Sequence, residues 1–134
     1  MNSLLVEWIS INYLSTNGRI GRKEYILGII FDYTILLLLL SAAIYGGRLE
    51  KYFFSLGAVV RAVGTLGFYM FFIIAYIRSI CSTIRRLHDL DRPGSYYLML
   101  FFPFYNIYLI LLLLTQRGTI GRNCYGNDPL QIMT

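Results

Sequence analysis

The residues of this chain best suited to chemistry lie in one run, Arg85-Arg86-Leu87-His88-Asp89, continued by Asp91-Arg92-Pro93-Gly94. Guanidinium groups grip phosphate and carboxylate through paired N–H donors, and a neighbouring carboxylate fixes their orientation. A histidine can hand over a proton near neutral pH. If a helix continues through the run, Arg78, Ser82, Arg85 and Asp89 share one face by their i, i+4, i+7, i+11 spacing. Such a stripe at a membrane edge, with Arg19 and Arg22 from an earlier basic turn, is a candidate site for a phospholipid headgroup or another anion. The competing reading is anchoring alone, because basic residues at a helix end meet anionic lipid and set orientation. No complete catalytic constellation is present, so the chain is expected not to be an enzyme.

Two further groups stand out. Asp32 and Arg78 lie inside apolar runs, where an ionisable side chain is costly and normally faces a partner in the protein interior. Their depths match by residue count, so an Asp32–Arg78 ion pair is expected, against the alternatives of Arg78 reaching outward and Asp32 meeting the hydroxyl of Tyr33 or Thr34. The run from Gly118 to Pro129 is glycine-rich and reads as a sharp turn ending the membrane domain. It lacks the lysine spacing of a phosphate loop. Cys81 and Cys124 have no CxxC or Cys/His partner, and His88 is the only histidine. No metal site and no cofactor are expected.

The elements that must position these groups are set by composition. The chain of 134 residues is 57% hydrophobic and 14% charged, where a soluble domain carries roughly 25% charged residues. Its apolar runs approach the roughly 20 residues needed to cross a bilayer core. The expected fold is therefore an all-α membrane protein with about three membrane-embedded helical segments, at about 25–45, 62–84 and 95–114. Residues 52–61, ahead of the second span, read as interfacial. Residues 1–17 read as an amphipathic surface helix, with Leu4, Leu5, Trp8 and Ile11 on one side. The membrane domain then covers 18–129, and 130–134 form a short tail.

Pro103 interrupts the third segment, leaving two topologies. With three full crossings and a cytoplasmic N-terminus, basic residues outside the spans divide six to four; with a re-entrant hairpin folding at Pro103 to Asn106, they divide eight to two. The hairpin satisfies the positive-inside bias better. The proline-kinked crossing is nevertheless preferred, because a hairpin's irregular backbone needs protein cover.

Three blocks stand in order along the chain: Gly18-Arg19 with Arg22, Glu24 and Tyr25; Arg85-Arg86-Leu87-His88-Asp89 with Arg92; and Gly118, Gly121, Asn123, Tyr125, Gly126, Asp128-Pro129. In these the chain resembles the YhaH/YhaI-like bacterial inner-membrane protein family, a family named only as a domain of unknown function. The resemblance covers about Gly18 to Pro129. It implies a small helical fold in the bacterial inner membrane and no known activity. Pro93-Gly94-Ser95-Tyr96-Tyr97 departs from the serine, small residue and tryptophans usual there.

The leading expectation is a small non-enzymatic membrane protein acting through contacts with another membrane protein or with itself. Gly57, Gly64 and Gly67 offer close helix approach to such a partner. The rival readings are a binder or modifier of anionic phospholipid headgroups using the Arg85–Asp89 face, and a transporter or pore subunit built on Asp32 and Arg78. Nucleic acid is not an expected partner, since the basic residues are dispersed between apolar runs.

Overall fold

The computed structural model describes residues 14–130. The N-terminal surface helix expected over 1–17 falls mostly outside the described residues, as does nearly all of the 130–134 tail. Two long helices dominate: α1 (Arg22–Leu49) and α2 (Phe54–Asp89). At 1.5 Å per residue their 28 and 36 residues measure about 42 and 54 Å, both more than a bilayer core requires. The most apolar window of each is only 11% buried. A core helix of a soluble protein would be mostly covered; these two expose leucine, isoleucine and aromatic side chains along their length, as a lipid solvent demands.

The chain divides into two compact units, residues 28–76 and the remainder. In the 28–76 unit the helices run antiparallel, joined by a short turn. Glycine permits the contact. A Cβ on Gly46 would stand 2.3 Å from the Arg61 nitrogen, and one on Gly64 would stand 2.5 Å from the Ala43 nitrogen. A Cβ on Gly57 would meet the Glu50 backbone in the same way, 2.2 Å from its nitrogen, while one on Gly67 would face the Leu39 side chain at 3.1 Å. The glycines expected to receive a partner helix therefore serve the chain's own hairpin. α2 begins at Phe54 without a break, yet Arg61 pairs with Glu50 at 3.2 Å. That leaves the first two turns of α2 beside the polar connection. Asp32 is buried in this unit, and the Thr34 hydroxyl donates to Ile30 O at 2.7 Å.

The other unit holds residues 14–27 and 77–130. Here the third apolar segment is not one helix. A 3₁₀ stretch (Gly94–Phe101) gives way to an extended Phe102, and then to α3 (Pro103–Thr115). Proline pushes its predecessor into the extended region and fits the first turn of the helix it opens, which explains Phe102 at φ −92°, ψ 119°. The 13 residues of α3 reach only about 20 Å. The segment leaves from Asp89 and comes back to it, for Thr119 N donates to Asp89 O at 2.9 Å. A straight crossing separates its two ends by the membrane thickness; here they meet. The preferred sequence expectation of a kinked crossing does not describe this geometry. The protein cover that a returning segment needs is supplied on one face of α3 by buried Leu109, Leu112 and Leu113.

The glycine contacts make a specific demand. Gly64→Ala should destabilise the helix pair by about 1–3 kcal/mol, the usual range for overpacking. Gly47→Ala, whose new Cβ would meet only Arg61 Cδ at 3.7 Å, should be close to neutral. Unfolding in detergent micelles, followed by circular dichroism, measures both; equal stability of the two variants would contradict the packing described.

Candidate functional site: a carboxylate between two arginines

α1 starts at a cap visible in its sequence. Tyr25 N bonds Gly21 O at 3.0 Å, and the Glu24 carboxylate reaches back to Gly21 N at 3.3 Å, the reciprocal half of a capping box. α2 ends just as definitely. Arg92 N donates to Leu87 O at 2.9 Å and Asp91 N to His88 O at 3.1 Å, the paired bonds of a Schellman motif. Asp91 occupies its left-handed position at φ 56°, a conformation aspartate tolerates better than most residues, and Pro93 prevents continuation.

Between these ends sits Asp89. Its Oδ1 accepts from Arg19 Nε at 3.0 Å and from Arg19 Nη2 at 2.9 Å. Its Oδ2 accepts from Arg86 Nη1. All three residues are buried, Arg86 completely. Two guanidiniums against one carboxylate leave a positive excess, and backbone carbonyls absorb it. Arg19 also donates to Thr119 O, Gly121 O and Gly126 O. Arg86 also donates to Leu113 O and Gln116 O.

Each helix end is finished by a different segment. Leu113 O and Gln116 O belong to the C-terminal turn of α3, where carbonyls lack helical partners and the dipole is negative. Arg22 adds a bond to Thr115 O at 2.8 Å. The last carbonyls of α2 are met by the tail: Thr119 N and Oγ1 donate to Asp89 O, and Asn123 Nδ2 donates to His88 O at 2.8 Å. His88 stacks flat on Tyr125, centroids 4.0 Å apart, with Nδ1 3.3 Å from Gly18 O. Asp128 accepts from Gly121 N and Leu130 N. Those two donors hold its carboxyl below the usual 3.8. Gly118 presses on the cluster so closely that a Cβ would fall 2.0 Å from Asp89 Oδ2.

Of the candidate residues, Arg19, Arg86 and Asp89 thus meet directly. Arg22 joins through Thr115 O at the end of α3, His88 through Tyr125 and Gly18 O, and Arg85 through its carbonyl, which accepts from Ile20 N at 3.4 Å. Both Asp89 oxygens hold guanidinium donors, and the polar stripe read from the spacing is buried at Arg78, Ser82 and Asp89. Asp32 and Arg78 belong to different units, each buried. Tyr25 is buried, with its hydroxyl 3.2 Å from Thr83 Oγ1. Sequence reasoning passed over Gly118, Thr119, Asn123 and Asp128 as parts of a turn. The third block held Gly118, Asn123 and Asp128, without Thr119, and nothing in it named α2 as its target. Among the described residues no group of histidine, cysteine and carboxylate side chains is arranged to hold a metal ion.

Long exposed apolar helices with a polar cluster at their paired ends define an all-helical integral membrane protein. Residues 13–127 match the family model described as protein of unknown function (DUF805), and the chain belongs to that family. It is 32% identical over 118 residues to the inner membrane protein YhaI of Escherichia coli (strain K12), covering 88% of each chain. To the inner membrane protein YhaH of the same organism it is 32% identical over 124 residues, covering 88% of this chain and 89% of that one. No solved structure matches.

Breaking the cluster from either side should be severe. Asp89→Asn leaves two buried guanidiniums without their counter-charge, and Arg86→Gln leaves carbonyls and a carboxylate short of donors. Each should cost about 3–5 kcal/mol, against less than about 0.5 kcal/mol for Arg122→Gln on the exposed loop. Unfolding in detergent distinguishes them. Asp128 gives a pH signature. Its folded pKa lies below its unfolded one, so its contribution is present above about pH 3.8 and is lost as pH falls through the folded value. The protection of the Gly121 and Leu130 amides against hydrogen exchange, taken relative to the intrinsic rate at each pH, should therefore fall only as pH drops through that value, and Asp128→Asn should remove the pH step.

Proposed function

We propose that the protein is a non-enzymatic platform of the bacterial inner membrane, acting through contacts that its tail loop makes with another membrane protein or a second copy of itself. The observation that carries this reading is the direction in which the motif residues work. Arg19, Arg86, Asp89, Thr119 and Asn123 turn inward and clamp residues 118–126 onto the end of α2. What the clamped loop presents outward is a different set: Ile120, 74% exposed, with Arg117, Arg122 and Asn127. A large aliphatic side chain held outward on a fixed loop between arginines resembles the anchor-and-rim composition of contact surfaces. Ordering it in advance also lowers the entropy lost on binding.

In this reading α1 and α2 cross the membrane and the segment through α3 is re-entrant, returning the tail to the side it left. Arg19, Arg22, Lys23, Arg85, Arg86, Arg92, Arg117 and Arg122 then share one face, and Arg48 and Lys51 lie on the other, eight against two. The positive-inside rule makes the eight-residue face cytoplasmic.

Two measurements test the proposal. Exposed Cys124, in a Cys81→Ala background, should react with a membrane-impermeant maleimide in inverted vesicles and stay unlabelled in intact spheroplasts; labelling from outside overturns the orientation. A photo-crosslinking residue at Ile120 should give discrete adducts in native membranes, diminished by Arg122→Glu. Uncrosslinked monomer from every loop position overturns the contact reading.

A further inference from the structure

Beside the cluster, between the start of α1 and the tail, lies a cleft of about 110 Å³. Four cations line it, the internally bonded Arg86 and the more exposed Arg22, Lys23 and Arg117, together with the apolar Pro129 and Leu130. We propose that this cleft binds a phosphate group, and specifically the headgroup phosphate of an anionic phospholipid in the surrounding leaflet.

The acids and the bases of the cleft are unequally satisfied. Every carboxylate lining the cleft already has its donors within the chain. Asp89 holds Arg19 and Arg86, Asp128 holds the amides of Gly121 and Leu130, and Glu24 holds the amide of Gly21. The cations are not matched in the same way. Arg22 has a single carbonyl, Thr115 O. Lys23 and Arg117 have exposed side chains that make no hydrogen bond or close ion pair with any described residue, and Arg117 acts on Asp128 only through space. A concave site with an unmet positive charge recruits an anion, and arginine beside lysine suits phosphate, one as a planar fork and the other as a point charge.

The lipid source follows from the walls and the level. Leu130 is 53% exposed and extends the cleft's apolar side, which suits the carbon skeleton attached to a lipid phosphate better than a fully hydrated free ion. Arg22 opens a membrane helix, and Arg117 follows α3 by two residues, so both stand where headgroups lie. The headgroup site read from the Arg85–Asp89 run is thereby relocated. Arg86 and Asp89 line the cleft but are bonded to each other, and Arg22, Lys23 and Arg117 supply the charge.

The test is native mass spectrometry of the full chain released from nanodiscs containing phosphatidylglycerol or phosphatidylcholine, with glycerol 3-phosphate as a soluble probe in a separate arm. The wild type should retain phosphatidylglycerol preferentially. Lys23→Gln/Arg117→Gln removes no internal hydrogen bond and should weaken retention about 25-fold, from roughly fivefold per basic residue near an anionic surface. Adding Arg22→Gln should weaken it further. Arg48→Gln/Lys51→Gln removes the same charge at the other end of the helices and should leave retention within about twofold. Equal retention by the wild type and the Lys23/Arg117 double variant overturns the site. Glycerol 3-phosphate bound alone with the same variant dependence, without preferential retention of phosphatidylglycerol, keeps the phosphate chemistry and overturns the lipid source.

Discussion

Asp89 holds Arg19 through one oxygen and Arg86 through the other, and the arrangement of the 14–27 and 77–130 unit depends on that double contact. Arg19 precedes α1, Arg86 lies in the last turns of α2, and the carbonyls both arginines reach come from α3 and the tail. One carboxylate therefore ties together four stretches of chain distant in sequence. A buried ion pair often gives little net stability over a hydrophobic substitute, because desolvation offsets most of the attraction. Its value here is geometric: a carboxylate with two oxygens and two guanidiniums with directional donors accept one mutual arrangement, and apolar side chains of equal volume would accept several.

The 28–76 unit obeys a different constraint. Lipid offers no hydrophobic drive for one helix to seek another, so close packing must supply the attraction. Gly46 and Gly64 permit backbone contact at distances no side chain would allow. The exposed leucines and aromatics contribute nothing to that contact and meet lipid instead. The chain thus combines a unit fixed by directional polar contacts with one fixed by close helix packing.

Hydropathy made the two long helices legible, because run length is a direct consequence of bilayer thickness. The order of the three motif blocks made the participants of the cluster legible, though not their contacts. Helical spacing grouped Arg78, Ser82, Arg85 and Asp89 on a face but could not say what would cover that face. Arg86 was read as a headgroup ligand because a sequence does not reveal that the end of α3 returns beside it. The third segment was the hardest to read. Pro103 marked the break and charge asymmetry favoured a return, but backbone exposure argued for a crossing. That objection loses force only once Leu109, Leu112 and Leu113 are seen to be buried, which is a tertiary fact. The glycines at 57, 64 and 67 were legible as contact points and ambiguous as to partner, since intrachain and interchain helix packing use the same residues.

The residue types of the motif blocks make sense once the helix ends are counted. Two helices, α2 and α3, terminate close together, each with carbonyls that the helix itself cannot satisfy. At the rim of a membrane, water is a poorer partner than in bulk solution, and an unpaired carbonyl is expensive. Arginine is the most economical remedy for α3, because one side chain brings five N–H donors and a charge opposite to the helix dipole. For α2 the tail brings a backbone amide and hydroxyl at Thr119 and a side-chain amide at Asn123. The arginines so recruited then require a counter-charge, which Asp89 supplies from within α2, and Gly118 is small because it packs on that carboxylate. Arginine, aspartate, asparagine and glycine in this pattern are what two adjoining helix ends at a membrane face require. A reading that assigns those same residues to catalysis would have to free at least one of them from the task of closing the fold.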